Sequence, residues 1–527
     1  MKYNKTKTPT VTPTITNHQG GTGYASEPKI ELIGLLATGL DNTYYEKEGD
    51  REKRLASLIN DIAKKDPTFV AKALVYARTK MGQRTVTHVG AVNLAKFLSG
   101  NDLGRRFFSK RARKENHGGI VFRLDDMLEI AACYMAKNPG KALSNAIKKG
   151  FKAALEDADT YELAKYQAKG KAVSLVDLIN LVHPKPSAKM KPVFEQLMKG
   201  ELKQFNTVED KNTKAGQEVA EKVKSGKITQ AEAEVELKEA KEDNYAELIR
   251  TRKIGYLALL RNLRNILKNS SDTGLINDAC ALLTDEKLIK QSLVFPHQID
   301  LALEIMLSEF NNSQMNKFAI ALNKAYELAI PNLTELFQHG RTAVVFDTSG
   351  SMESNQVTRG GSKERKTFNK TPADKAALIG ATLAKGIGAD LFHFASYCEK
   401  IQFNPGSDVN TIKKAGQSLN GRVGHGTDFS SIFSTLHKNG KYDRIFIISD
   451  MQGGDNISRG SSFQTYKNAF GEPYIYTIDI VGYGTTMFKP GNKLIQLFGY
   501  GPDIYEMVKK AELDPKAILK EIESIEI

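Results

Sequence analysis

Cysteine is scarce: three thiols, Cys133, Cys280 and Cys398, stand in 527 residues. They are far apart and lack C-x-x-C spacing, which excludes a disulfide framework and a zinc site and reads as free thiols in a reducing compartment. Long apolar runs are missing as well. No stretch approaches the roughly 20 residues of a membrane span, and the N-terminus lacks the apolar core of a signal peptide, so no membrane association and a cytoplasmic location are expected. No G-x-x-x-x-G-K-[ST] phosphate loop is present. Acidic residues are thin in one region only. Residues 1–200 carry 34 Lys and Arg against 20 Asp and Glu, residues 201–341 carry 19 against 21, and residues 342–527 carry 22 against 20. The net charge of +14 therefore sits in the first two fifths of the chain, where it would attract a polyanion. A basic surface that serves only solubility is the plainer reading, and charge alone does not separate RNA from DNA.

A 41% apolar content over this length predicts two or more domains with real cores. Residues 1–20, rich in Thr and Lys, are expected to be mobile up to Asn17-His-Gln-Gly-Gly21. Helical patterns follow. Asp66-Pro67 is a helix start with an N-cap acceptor and a first-turn proline, and Val70, Ala73, Leu74 and Ala77 line one face behind it. A second helix runs through Val89, Val92 and Leu98. Others cover Asp125 to Met135, Ser174 to Val182, Leu257 to Leu267 and Gln298 to Phe310. Helix pairs without intervening strands suit an all-α stack of the HEAT type over residues 1–340. Residues 207–245 interrupt it with a charged segment bearing a capping box at Thr229 and Glu232, either a solvated helical hairpin or a disordered insert. From residue 341 to 527 the period changes. Strand-like runs at Ala343–Phe346, Leu391–Phe394, Ile445–Ile448 and Tyr474–Val481 alternate with helices at Ala373–Lys385 and Phe429–Leu436, the pattern of an α/β domain with a parallel sheet.

The first of those strands ends in Asp347-Thr-Ser-Gly-Ser351. One carboxylate and two hydroxyls, Asp347, Ser349 and Ser351, lie two residues apart where the strand must stop, a set of hard oxygen donors for a divalent cation such as Mg2+. Thr427, in a loop before a helix, offers a third hydroxyl, and Asp450 ends another buried strand with a carboxylate. The competing view is that these groups only cap helices, although a cap needs just one side chain per terminus. A phosphatase of the haloacid-dehalogenase kind needs a second Asp where Ser349 stands. A metal-dependent nuclease needs a base or second metal that is not visible, so no enzyme is expected.

The D-x-S-x-S stretch with Thr427 and Asp450 resembles the metal-ion-dependent adhesion motif of von Willebrand factor A domains, and the resemblance covers residues 341–527. It implies a Rossmann-like fold and an Mg2+ site with one position left for a partner's carboxylate. The helical part resembles the TROVE module of the Ro autoantigen family, in its bacterial or phage type. The matching blocks are Asn17-His-Gln-Gly-Gly21, Arg84-Thr-Val-Thr-His-Val-Gly90, Val121-Phe-Arg-Leu-Asp-Asp-Met127, Lys165-Tyr-Gln-Ala-Lys169 leading to Leu178-Ile-Asn-Leu-Val-His-Pro-Lys185, and Ala258-Leu-Leu-Arg-Asn-Leu263. The resemblance implies a monomeric ring of TROVE helices closed by the A domain. Its outer basic surface would bind small Y-like stem-loop RNA, and its central hole would take single-stranded 3′ ends of misfolded RNA, in RNA quality control or decay. It also implies a 3′-to-5′ exoribonuclease partner such as polynucleotide phosphorylase. By position, Lys165, Lys169 and His183 match the family's Y RNA contacts; Lys169 stands where a close relative has arginine, and a lysine acts as a point charge rather than a fork.

Two further groups of cations are candidates on their own residues. Arg105, Arg106, Lys110, Arg111, Arg113 and Lys114 interleave with Phe107 and Phe108, a pairing that tracks phosphates and stacks bases, or else a solvated helix whose phenylalanines face the core. Arg84 and His88 lie a turn apart, either as RNA contacts on a ring's inner wall or as a buried polar cluster bracing adjacent helices. The rival to an RNA-binding ring is a protein-interaction scaffold that holds an acidic partner through the metal.

Overall fold

A computed structural model describes residues 15–98, 100, 102–112, 117–168, 170–202, 208–270, 272–292, 294, 296–329, 340–353, 371–454, 461–491, 493–501 and 503–527. The chain divides into two compact units. One holds residues 63–331 with 524–527, and the other holds 332–523 with 1–62. The sequence places a single boundary near residue 340, whereas the first sixty residues cluster with the C-terminal part. The reason is a set of long-range contacts described below, which no local pattern announces.

In the α/β unit, six strands lie in the order Leu494–Phe498, Tyr474–Asp479, Arg444–Ser449, Thr342–Asp347, Asp390–Phe394, Cys398–Ile401. The first five are parallel and the last is antiparallel. Every residue of Thr342–Asp347 is buried, which is why that strand reads as an unbroken apolar run. Its alternate residues serve two layers. Ala343 and Val345 join Phe392, Phe394, Ile445 and Ile447 in a core against Phe429, Ile432, Phe433 and Leu436 of the helix Phe429–Asn439. Phe346 meets the helix Pro372–Ile387 on the other side, where a side chain at Gly380 would lie 3.1 Å from its ring. The four anticipated strands and both anticipated helices form close to the expected bounds. Leu494–Phe498 and the edge strand Cys398–Ile401 were not anticipated. The chain leaves the central strand toward Asp390–Phe394 and later returns on its other flank at Arg444–Ser449. The reversal falls at the carboxyl ends of Thr342–Asp347 and Arg444–Ser449, the usual ligand position in such sheets.

Residues 15–62 belong to this same unit. The strands Ile15–Thr16 and Thr22–Ala25 form a hairpin, and Thr22–Ala25 pairs with Thr485–Thr486 just beyond the sheet's carboxyl edge. The Arg51 guanidinium, 1% exposed, donates to the carbonyls of Gly39 and Val481 and to Thr38 Oγ1, and pairs with Glu46. A buried arginine is tolerated only because each face of its fork finds an acceptor.

The helical unit is a succession of packed helices. Pro67–Thr79 begins at the expected N-cap, with Asp66 accepting from Phe69 N, and packs on Thr85–Leu94, which packs on Leu124–Lys137. Asn145–Glu156 lies between Asp102–Phe107 and Leu175–Val182, and Gly150 allows it to touch Phe108, from which an added Cβ would stand 2.3 Å. Tyr256–Asn269, Thr273–Leu283, Pro296–Glu309 and Ser313–Leu328 continue the stack. The charged segment forms a helical hairpin, Val208–Lys224 with Gln230–Arg250, and the Thr229–Glu232 capping box is present. Among the described residues no helix is long and apolar enough to cross a membrane.

Candidate functional site

At the end of its strand, Asp347 is fully buried. Its Oδ1 accepts from Ser349 N at 2.8 Å and its Oδ2 from Ser449 Oγ at 2.5 Å. Ser349 Oγ and Ser351 Oγ lie 3.3 Å apart, and Thr427 is buried as well. Asp450 Oδ1 accepts from Gln452 N, while its Oδ2 is buried without a hydrogen-bond donor. Burial pushes the Asp347 carboxyl up to about 6, against the hydrogen bonds from Ser449 and Ser349. Burial and the neighbouring Asp347 push Asp450 well above the ordinary carboxylate range. Asp479, at the end of the next strand, is also raised by burial to about 6, although the N–H groups of Val481 and Gly482 and the positive Arg51 oppose the shift.

Two carboxylates and three hydroxyls fit a hard cation, since a positive ion would relieve the carboxylates' burial and give Asp450 Oδ2 a partner. No cluster of three or more His, Cys, Asp or Glu side chains suited to a metal occurs among the described residues, so such a site depends on hydroxyl donors.

The cationic candidates separate into two groups. His88, 5% exposed, places Nε2 3.0 Å from Asp126 Oδ1. Arg78 Nη2 donates to both oxygens of Asp126, and Arg84 pairs with Asp125 at 2.6 Å and with Asp126 at 3.3 Å. Asp126 also accepts from the backbone N–H groups of Phe122 and Arg123, the latter closing the N-terminus of Leu124–Lys137. For Arg84 and His88, then, the bracing role is the one the geometry supports. His88 is not placed to contact RNA, because its ring is enclosed and committed to a carboxylate.

The Arg105–Arg113 group needs the same correction in part. Phe107 and Phe108 are fully buried, so they meet edge to face, as Phe108 does with Phe151, and are not offered to exposed bases. Arg111, 2% exposed, donates to the carbonyls of Gly118 and Glu526 and holds the C-terminal residues onto the two-stranded turn Arg111–Ala112/His117–Gly118. Lys110 pairs with Glu162 at 2.6 Å. Arg105 and Arg106 remain half-exposed, both paired with Asp102, and Arg106 also donates to Ile527 O. Arg113, Lys114 and Lys169 lie outside the described residues.

Lys165 and His183 stay accessible. Lys165 ends the helix Thr160–Lys165, its ammonium 5.2 Å from the Tyr161 ring centre and 5.6 Å from that of Tyr166, and it donates to Tyr161 Oη at 3.1 Å. The Arg123 guanidinium stands over the Tyr166 ring, 5.8 Å from its centre. Tyr161 is 46% exposed. The result is a run of alternating cations and rings, Arg123, Tyr166, Lys165, Tyr161, beside a cavity of about 340 Å³ lined by Lys165, Tyr166, Lys171 and Glu129. His183 follows the helix Leu175–Val182 in the left-handed conformation, exposed and ahead of Pro184. The tyrosines are residues that charge counting overlooks, although Tyr161 and Lys165 share the i, i+4 spacing that would have paired them.

The chain thus holds a helical unit with a cation–aromatic surface and an α/β unit whose strand ends gather carboxylates and hydroxyls. Residues 22–245 match the model of the TROVE domain. Among solved structures, the chain is similar to "Crystal structure of Deinococcus radiodurans RO (RSR) protein", with a TM-score of 0.57 and 14% identity over 92% of this chain and 100% of that one. A comparison with curated proteins finds no match. Residues 22–245 thus resemble a TROVE domain, and the fold of the chain is like that of the Deinococcus RO protein.

Proposed function

We propose that the chain binds small structured RNA of the Y-like stem-loop kind on the surface around Lys165, Tyr161, Tyr166 and His183. Single-stranded 3′ ends of misfolded RNA, the second class implied by the family resemblance, would make it a component of RNA quality control or decay, working beside a 3′-to-5′ exoribonuclease. The observation that carries the reading is the alternation of Arg123, Tyr166, Lys165 and Tyr161. The Lys165 ammonium neutralises phosphate, Arg123 being already paired with Asp125, while an exposed ring offers a face to an unstacked base. Ultraviolet crosslinking of a stem-loop RNA to the intact protein tests this. Crosslinked nucleotide should map to the peptides containing Tyr161 or Tyr166, and crosslinks confined to residues 340–523 would overturn it.

The α/β unit is read as a von Willebrand A domain in which Asp347, Ser349, Ser351, Thr427 and Asp450 would hold Mg2+. The cation would supply positive charge to a buried carboxylate pair, and the chain's own residues do the rest. Ser449 Oγ fixes one oxygen of Asp347, and Gln452 N fixes one of Asp450. The scaffold reading, in which this site holds an acidic protein, has no comparable surface observation in its favour.

A further inference from the structure

The Asn17-His-Gln-Gly-Gly21 block takes no part in the RNA reading, yet its contacts lie at the carboxyl edge of the sheet. Asn17, 5% exposed, folds the block on itself, its Oδ1 accepting from the N–H groups of Gln19 and Gly21 at 3.0 Å each. Its Nδ2 donates to Gly453 O at 2.7 Å, and His18 N donates to Gln452 Oε1 at 2.9 Å, two residues past Asp450. Gly21 rests so closely on the same loop that an added Cβ would come within 2.0 Å of Gly453 O, a distance no other residue permits. Gln19 Nε2 donates to Thr427 Oγ1 at 3.0 Å. Burial pushes the Tyr45 hydroxyl up while the nearby Gln19 and Ser351 side chains oppose that shift, and its ring stacks on His18 with centres 5.2 Å apart and planes 9° apart. The segment thus touches one hydroxyl donor, Thr427, and the loop that follows Asp450, while Tyr45 stands near a second, Ser351.

We infer that Gln19 and Tyr45 complete the cation site from within the chain, closing the position that a site of this kind would present to a partner's carboxylate. This rests on the cation reading proposed above. An amide carbonyl and a phenol are hard oxygen groups of the class Mg2+ accepts; the Gln19 amide holds Thr427 through Nε2, and on turning over with the ion it would present its carbonyl without adding a third carboxylate to a buried pair. The ion then acts as a clasp, fastening residues 15–25 to the strand ends. An acidic protein could not reach the ion unless this segment moved.

Mn2+ binding to the full chain, followed by electron paramagnetic resonance of the free ion and by the water-proton relaxation of the bound ion, tests the inference. Wild type should bind one Mn2+ at this site with low relaxivity, and Asp347→Ala should lose it. Gln19→Ala should weaken binding several-fold and raise the relaxivity as water takes the vacated position, while Gln19→Glu should tighten binding about tenfold, which is about 1.4 kcal/mol. Tyr45→Phe, which keeps the stacking ring, should also raise the relaxivity. If wild type and Asp347→Ala bind alike, or neither binds, the cation reading fails and this inference with it. If Asp347→Ala abolishes binding while all three segment variants keep wild-type affinity and relaxivity, the cation reading stands and the role given to Gln19 and Tyr45 is wrong.

Discussion

Replacing Asp126 with alanine should cost about 3–5 kcal/mol of folding stability, the usual penalty for leaving buried cations without their counter-charge. Asp126 is fully buried and accepts from Arg78, Arg84, His88 and two backbone N–H groups. Two of the blocks that mark the sequence, residues 84–90 and 121–127, meet at this one carboxylate. Asp126→Asn keeps the shape but replaces one of the two acceptor oxygens with an NH2 group that faces other donors, and removes the negative charge, so it should be nearly as damaging. The pH dependence follows from the same bonds. Burial would raise the Asp126 pKa, yet the hydrogen bond from His88 and the positive Arg78 hold it below its ordinary 3.8. The native state therefore resists a proton that the unfolded chain accepts. Its contribution is whole above about pH 4 and falls away below that, with the unfolded chain gaining the proton first. Chemical denaturation of wild type and variant between about pH 3 and pH 7 checks both points. An Asp126→Ala protein within about 1 kcal/mol of wild type at neutral pH would show that the cluster is not a brace.

RNA affinity should depend steeply on salt. Each phosphate neutralised by Lys or Arg releases condensed counterions, so a footprint of about five phosphates lowers affinity about 500-fold between about 50 and about 200 mM salt. The basic excess lies in residues 1–200, but it is smaller in effect than its count suggests. Arg51, Arg78 and Arg111 are buried, and Lys110 and Arg123 are paired with acids. What remains for RNA is a subset that includes Lys165 and Lys171, so the footprint should be modest. A salt-independent affinity would mean that contacts other than phosphate neutralisation dominate.

Much of the α/β unit was legible because its signals are local. Asp347, Ser349 and Ser351 follow one another at the end of a fully buried strand, and Ile445–Ile448 announces Asp450 in the same way. The packing of residues 15–62 was not legible. The pairing of Thr22–Ala25 with Thr485–Thr486, and the reach of Gln19 to Thr427 across 408 residues, are tertiary facts that leave no periodicity behind. The cations show the same limit. An arginine reads identically whether it awaits a phosphate or a carboxylate, and Arg111 finds its acceptor on Glu526, 415 residues away. Phe107 and Phe108 illustrate it for rings, since neighbouring aromatics look alike whether they line a surface or fill a core. Lys165 and His183 were found by family resemblance, and the tyrosines beside Lys165 emerged only from the structure.

The central claim, that RNA docks on the Lys165 and His183 surface, is tested most directly by fluorescence anisotropy with a labelled stem-loop RNA, comparing wild type with a Lys165→Ala, His183→Ala double variant at one fixed salt concentration. Both side chains are exposed, so the melting temperature should not move. The account predicts an affinity at least tenfold weaker, a loss of about 1.4 kcal/mol or more. A double variant that melts like wild type and binds the RNA with the same affinity would contradict it.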